Sequence, residues 1–180
     1  MGLLSFFSGK KNKEEKQKDS APERPTFDSE LGRFYYVSCP DSIPPEFGYE
    51  GEIDWPGNGY EDRLGVYIDC ESPDSTDAGR CYEKLVRIAQ DKERTEYQAK
   101  SLVAEHFLGS KPELIKTEPG QSVTKEDLMK DMRIDFISIY RSGDIVISVD
   151  DGCWFDLCSD GVEVILKADG SSEVKYKEYD

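Results

Sequence analysis

The sequence predicts an α+β domain: an antiparallel sheet from N- and C-terminal strand blocks, packed against two to three central helices. Three observations carry that prediction. Residues 34–70 and 134–166 are strand-like blocks with alternating β-branched and aromatic positions, and each holds a tryptophan beside acidic residues. Between them runs a long amphipathic stretch at helical spacing. Strands, then helices, then strands again is the order of α+β proteins with antiparallel pairing.

The chain has 180 residues, 37% hydrophobic and 11% aromatic, which suits one packed core and is too short for two. A single domain is expected over residues 26–180, behind a disordered polar tail over residues 1–25. The tail opens Met1-Gly2-Leu3-Leu4-Ser5-Phe6-Phe7, too short for a signal peptide or a membrane span. Phe6 breaks the myristoylation pattern, which needs Ser or Thr there. The Leu/Phe cluster precedes Lys10-Lys11-Asn12-Lys13, a combination able to rest weakly on a membrane or dock into a groove. A polar linker through Pro25 is the plainer reading, and no stable membrane association is expected.

Order should begin near Thr26. Residues 34–37 read as a strand that the Pro-rich stretch from Cys39-Pro40 to Pro44-Pro45 ends. Residues 50–55 read as a second strand, stopped by Pro56-Gly57-Asn58-Gly59. Leu64, Val66, Ile68 and Cys70 alternate with polar or small neighbours, the period of a half-buried strand. Ser72-Pro73-Asp74-Ser75-Thr76-Asp77 is a turn leading into a helix, its acids suited to the positive end of the dipole. Ala78, Cys81, Tyr82, Leu85, Ile88 and Ala89 share one helical face. Ala99, Leu102, Val103, His106 and Phe107 repeat that spacing. The charged run at residues 91–96 between them predicts two helices or one bent helix.

Gly109 and Pro112 signal a helix stop, and residues 110–122 a polar connection. Thr124 is placed to cap a short helix with Leu128, Met129 and Met132 on its inner side. Residues 134–140 and 145–149 flank Arg141-Ser142-Gly143-Asp144, a hairpin signal. Asp151-Gly152 and Asp160-Gly161 mark further turns, Val162, Val164 and Leu166 alternate, and Val174 with Tyr176 adds an edge strand.

With these elements in order, the chain resembles the bacterial family catalogued as domain of unknown function 2262. The resemblance rests on Leu31-Gly32-Arg33-Phe34, Gly51-Glu52-Ile53-Asp54-Trp55 and Val66-Tyr67-Ile68-Asp69. It continues through Ile137-Ser138-Ile139-Tyr140, Gly143-Asp144 and Asp150-Asp151-Gly152, and so covers most of residues 27–155. It implies a fold and a bacterial setting rather than an activity; related small domains are suspected of acting as immunity or partner-binding proteins. One departure stands out. Family members often carry a Gly-His pair after the second acidic-aromatic block, where this chain has Trp154-Phe155-Asp156-Leu157-Cys158.

Charge excludes one class of function. Residues 1–25 hold six Lys/Arg against four acids, leaving 17 basic and 34 acidic residues in 26–180, a net charge of −17 there. Such a field repels nucleic acid and anionic lipid and steers basic partners toward the surface. Simple solubility is the plainer account of it. Five cysteines without a Cys-x-x-Cys pair, and one histidine, do not make a zinc site. No cofactor is expected, and the cysteine usage fits a reducing cytoplasm, with Cys70 and Cys81 as small core residues.

His106 sits in an apolar helical stripe, where a partly buried, hydrogen-bonded imidazole is the expectation; no nucleophile is placed beside it. Asp150, Asp151, Asp156 and Asp160 crowd one end of the expected sheet and could hold a hard cation or act as an acid–base pair. Ordinary Asp-Gly turn chemistry accounts for them more simply. Gly57-Asn58-Gly59 lacks the rest of a phosphate cradle. Trp55 and Trp154 would be interface anchors if exposed and core residues if packed, and core packing is the better expectation.

The function expected from these readings is a non-enzymatic cytoplasmic module that binds a basic protein through an acidic surface. Its sharpest form is an immunity protein against a basic toxin. The candidate contact residues are Glu52, Asp54, Trp55, Asp150, Asp151, Trp154 and Phe155, provided the two tryptophans are exposed on one face. The alternative is an enzyme or divalent-cation-binding domain using the carboxylates from Asp150 to Asp160.

Overall fold

Among the described residues, eight strands and three helices follow the expected order, with one strand more than expected at the N-terminal end. The computed structural model describes residues 24–41, 45–58, 62–118, 121–152, 154–157 and 161–176. The tail through residue 23, with its Leu/Phe cluster, lies outside the described residues, as do Cys153, Cys158, Gly59 and Asp160.

The first four strands are β1 (Thr26–Ser29), β2 (Gly32–Cys39), β3 (Glu46–Asp54) and β4 (Arg63–Asp69). Helices α1 (Asp77–Gln90), α2 (Lys92–Ser110) and α3 (Lys125–Asp131) follow, with a short 3-10 helix at Pro112–Leu114. The chain ends in β5 (Arg133–Ile139), β6 (Ile145–Asp150), β7 (Val162–Leu166) and β8 (Ser172–Lys175). All eight lie in one sheet in sequence order. Neighbours pair antiparallel except β4 and β5, which run parallel with Val66 opposite Ile137. A parallel pair needs a long crossover, and the three helices are that crossover. The two strand blocks thus join edge to edge, as expected, at the one pair whose direction local patterning does not predict.

The helices cover one face only. Leu64, Val66 and Ile68 of β4 and Ile134, Ile137 and Ile139 of β5 are buried there against Leu85 of α1 and Val103, Ala104 and Phe107 of α2. Farther out, the ring of Tyr82 on α1 meets Phe27 of β1 edge-on at 5.0 Å, carrying the core to the first strands. Strand β1 is polar and four residues long; its pairing with β2, Phe27 opposite Phe34, makes it a strand.

The chain forms two helices here, within the expectation, and the charged run after Asp91 belongs to the second. Its charges sit four apart, with Lys92 and Lys100 at 3.6 and 3.7 Å from Glu96, a spacing that supports a helix. The break is confined to Asp91, at φ −112° and ψ 40°. Helix α2 also runs one residue past Gly109, and Lys111 N–H closes it on the Phe107 carbonyl at 3.1 Å. Thr124 caps α3 as expected: its hydroxyl accepts from Asp127 N–H at 3.2 Å while Asp127 accepts from Thr124 N–H at 2.9 Å. At the opposite end of the sheet from the tryptophans, Asp69 accepts from both the backbone N–H and Nε of Arg141, each at 2.9 Å.

Among the described residues no helix is long and apolar enough to cross a membrane.

Candidate functional site

Strand alternation puts a second set of side chains on the face the helices leave uncovered. In β2 it presents Arg33, Tyr35 and Val37, because Phe34 points into the core. In β3 it presents Gly48, Glu50, Glu52 and Asp54; in β4, Arg63, Gly65 and Tyr67; in β5, Phe136 and Ser138. Two strand glycines let aromatic rings lie down on this face. A Cβ on Gly65 would stand 2.5 Å from the Phe136 ring, and one on Gly48 would stand 2.5 Å from the Tyr67 ring. Tyr67 then donates its hydroxyl to the Phe47 carbonyl at 2.9 Å. Burial and the neighbouring Asp69 and Glu46 carboxylates raise the pKa of that phenol, which stays a neutral donor.

The result is a concavity of about 610 Å³ with an apolar floor of Tyr35, Val37 and Phe136. Its rim carries Arg24, Arg33 and Arg63 interleaved with Glu50 and Glu52. Asp28 holds the Arg33 fork at 2.5 and 3.3 Å, and this pairing raises the guanidinium pKa further. Arg63 reaches Asp54 at 2.5 Å and Glu52 at 3.6 Å. These ion pairs are solvent-exposed, so they hold side-chain positions more than they stabilise the fold. Tyr35 is 45% exposed at the floor. Tyrosine and arginine are among the residues enriched where proteins meet, whereas glutamate is not.

The residues singled out in the sequence divide between three places. Glu52 lines the concavity and Asp54 stands at its edge on Arg63. Trp55 turns to the helical side: it is 1% exposed, and its indole donates to Glu96 Oε1 at 2.6 Å, with Lys92 over the ring. Phe155 is 2% exposed and stacks on Phe107 with centroids 3.8 Å apart. Trp154 is half-buried against the core and donates to Asp131 at 3.2 Å. The two tryptophan blocks do lie at one end of the sheet, where the Asn58 side chain donates to the carbonyls of Arg63 and Ile134 at 3.2 and 2.6 Å. Their rings, however, are packed inward, so the condition of two tryptophans exposed on one face is not met. Core packing, the better expectation, holds for Trp55.

Asp150 and Asp151 act as turn residues. Asp150 accepts from Gly152 N–H at 3.0 Å and Asp151 from Phe155 N–H at 2.9 Å, around Gly152 at φ +62°. Asp156 lies 3.8 Å from Lys116. Among the described residues no three metal-ligating side chains gather at one point. His106 is half-buried, its Nε2 3.5 Å from the Tyr176 hydroxyl and its ring edge-on to Phe107.

Arg24, Arg33, Tyr35, Val37, Glu50 and Phe136 were not singled out in the sequence. One signal could have found them: Gly48 and Gly65 stand inside strands, and glycine there marks a close approach. No family model matches the chain, and no curated protein or solved structure matches it either.

Proposed function

We propose that this chain is a non-enzymatic, cytoplasmic binding module that docks a basic protein on the uncovered face of its sheet. The observation that carries the reading is the concavity over Tyr35, Val37 and Phe136, an apolar floor within a ring of opposed charges. Small apolar depressions of this size, rimmed by polar groups, are where interface anchors insert. The net charge of −17 over residues 26–180 draws a basic partner inward. At contact, the alternation of Arg24, Arg33 and Arg63 with Glu50 and Glu52 fixes its register. An immunity protein facing a basic toxin is the sharpest form of this reading. Cys70 and Cys81, buried as thiols, support a reducing compartment.

The test is kinetic. A basic protein retained by the chain from a bacterial host is purified, and its association is followed at low and high salt. The on-rate should fall with salt, and Tyr35→Ala should weaken binding by at least about tenfold. An on-rate indifferent to salt, together with a Tyr35→Ala variant that binds as tightly as the parent, would overturn the reading.

A further inference from the structure

The chain carries its own candidate occupant for this face. Arg24, the first described residue, is itself part of the rim of the concavity. Everything N-terminal to it therefore departs from the edge of the site. That segment contains two kinds of chemistry. Between the two ends lie Lys10, Lys11, Lys13, Lys16 and Lys18 with Glu14, Glu15, Asp19 and Glu23. The basic end of that run, Lys10, Lys11 and Lys13, adjoins the apolar cluster and is opposite in sign to a body of charge −17. Beyond them lie Leu3, Leu4, Phe6 and Phe7, an apolar cluster that matches a floor of Tyr35, Val37 and Phe136.

Length permits it. The 17 residues from Phe7 to Arg24 span up to roughly 60 Å, more than is needed to turn back across a sheet whose strands are about 5 Å apart. Tethering supplies the rest, since a short link raises the local concentration of a weakly binding segment to about the millimolar range.

We propose that residues 3–7 of this chain dock in the concavity on the uncovered sheet face, held by their apolar side chains and steered by the lysines that follow. The segment then competes with any external partner for Tyr35. The proposal rests on the same face as the docking reading, and it is tested with no partner present.

The experiment uses the full chain and a full-length variant carrying Leu3→Ser, Leu4→Ser, Phe6→Ser and Phe7→Ser. Backbone amide resonances are compared, and a synthetic peptide of residues 1–12 is then added to the variant. The amides of Tyr35, Val37, Glu50, Gly65 and Phe136 should shift in the variant, while those of the α1 and α2 interiors stay in place. The peptide should reverse these shifts, and less so when the variant also carries Glu50→Lys and Glu52→Lys. Open-face amides that do not move overturn the proposal. Shifts that grow with protein concentration overturn it in favour of a second copy, and shifts seen only with phosphatidylserine vesicles overturn it in favour of a membrane surface. Any of these results leaves the partner-docking reading standing, because that reading falls only by the salt and Tyr35 measurements.

Discussion

Phe136 fills the space that a side chain on Gly65 would occupy, with the ring carbon Cδ2 2.5 Å from the position of a Cβ there. The two residues face each other across the parallel pair of β4 and β5. That contact joins the N- and C-terminal halves of the sheet and builds the floor of the candidate site in one step.

Gly65→Ala should therefore do two things at once. The ring must leave its position or the strands must part, and such overpacking costs about 1–3 kcal/mol. Urea denaturation should show a lower midpoint, and a partner that uses the floor should bind less tightly. A variant with the parent's midpoint would mean that the ring moves aside freely.

The Trp55 indole N–H is buried and satisfied by Glu96. Removing the acceptor with Glu96→Ala leaves that donor unpaired and costs about 1–3 kcal/mol. Glu96→Gln, which keeps an acceptor oxygen, should recover most of the loss. Equal destabilisation by both variants would place the effect in the Lys92 and Lys100 pairs instead.

Phe155 separates packing from docking. It is stacked on Phe107 and almost wholly buried, so Phe155→Ala should destabilise the fold by about 3–5 kcal/mol. Partner affinity, measured on the fraction still folded, should stay within about twofold of the parent, because the ring is not available for contact. A large loss of affinity with unchanged thermal stability would return Phe155 to the partner surface.

Alkaline pH should destabilise the protein in a defined window. Burial pushes the Cys70 thiol from its ordinary 9.0 up to about 11, with Asp69 adding to the shift. Burial likewise raises Cys81, Tyr49, Tyr67 and Tyr140. A group whose folded pKa lies above its unfolded value favours the fold while it is protonated. Its stabilisation is complete below about pH 9 and is lost as the pH rises through about 11. The denaturant midpoint should fall across that range, and Cys70→Ala should flatten part of the fall. A midpoint constant from pH 8.5 to 11 would refute it. At neutral pH, exposed Cys39 should react with iodoacetamide before Cys70 and Cys81, which are buried.

Local patterning determined the elements of this protein. The alternation of Leu64, Val66 and Ile68, the helical stripe from Ala78 to Leu85, the Thr124 cap and the Arg141-Ser142-Gly143-Asp144 hairpin are all properties of nearby residues. Periodicity, capping and turn preference act within a few residues, so one sequence suffices to read them. It also determined that Asp150 and Asp151 serve a turn, since Asp beside Gly answers its own backbone.

Direction and depth were decided by the tertiary structure. The parallel pairing of β4 with β5 depends on where some sixty intervening residues return the chain, a non-local matter. Whether an aromatic residue is an anchor or a core residue depends on what packs over it. Trp55 meets Glu96 and Lys92 from 41 and 37 residues away and is sealed. Tyr35, next in sequence to fully buried Phe34, points to the face the helices never reach. The acids of the first tryptophan block kept their place beside the candidate site, while the tryptophan turned to the other side, because successive residues of a strand point to opposite faces.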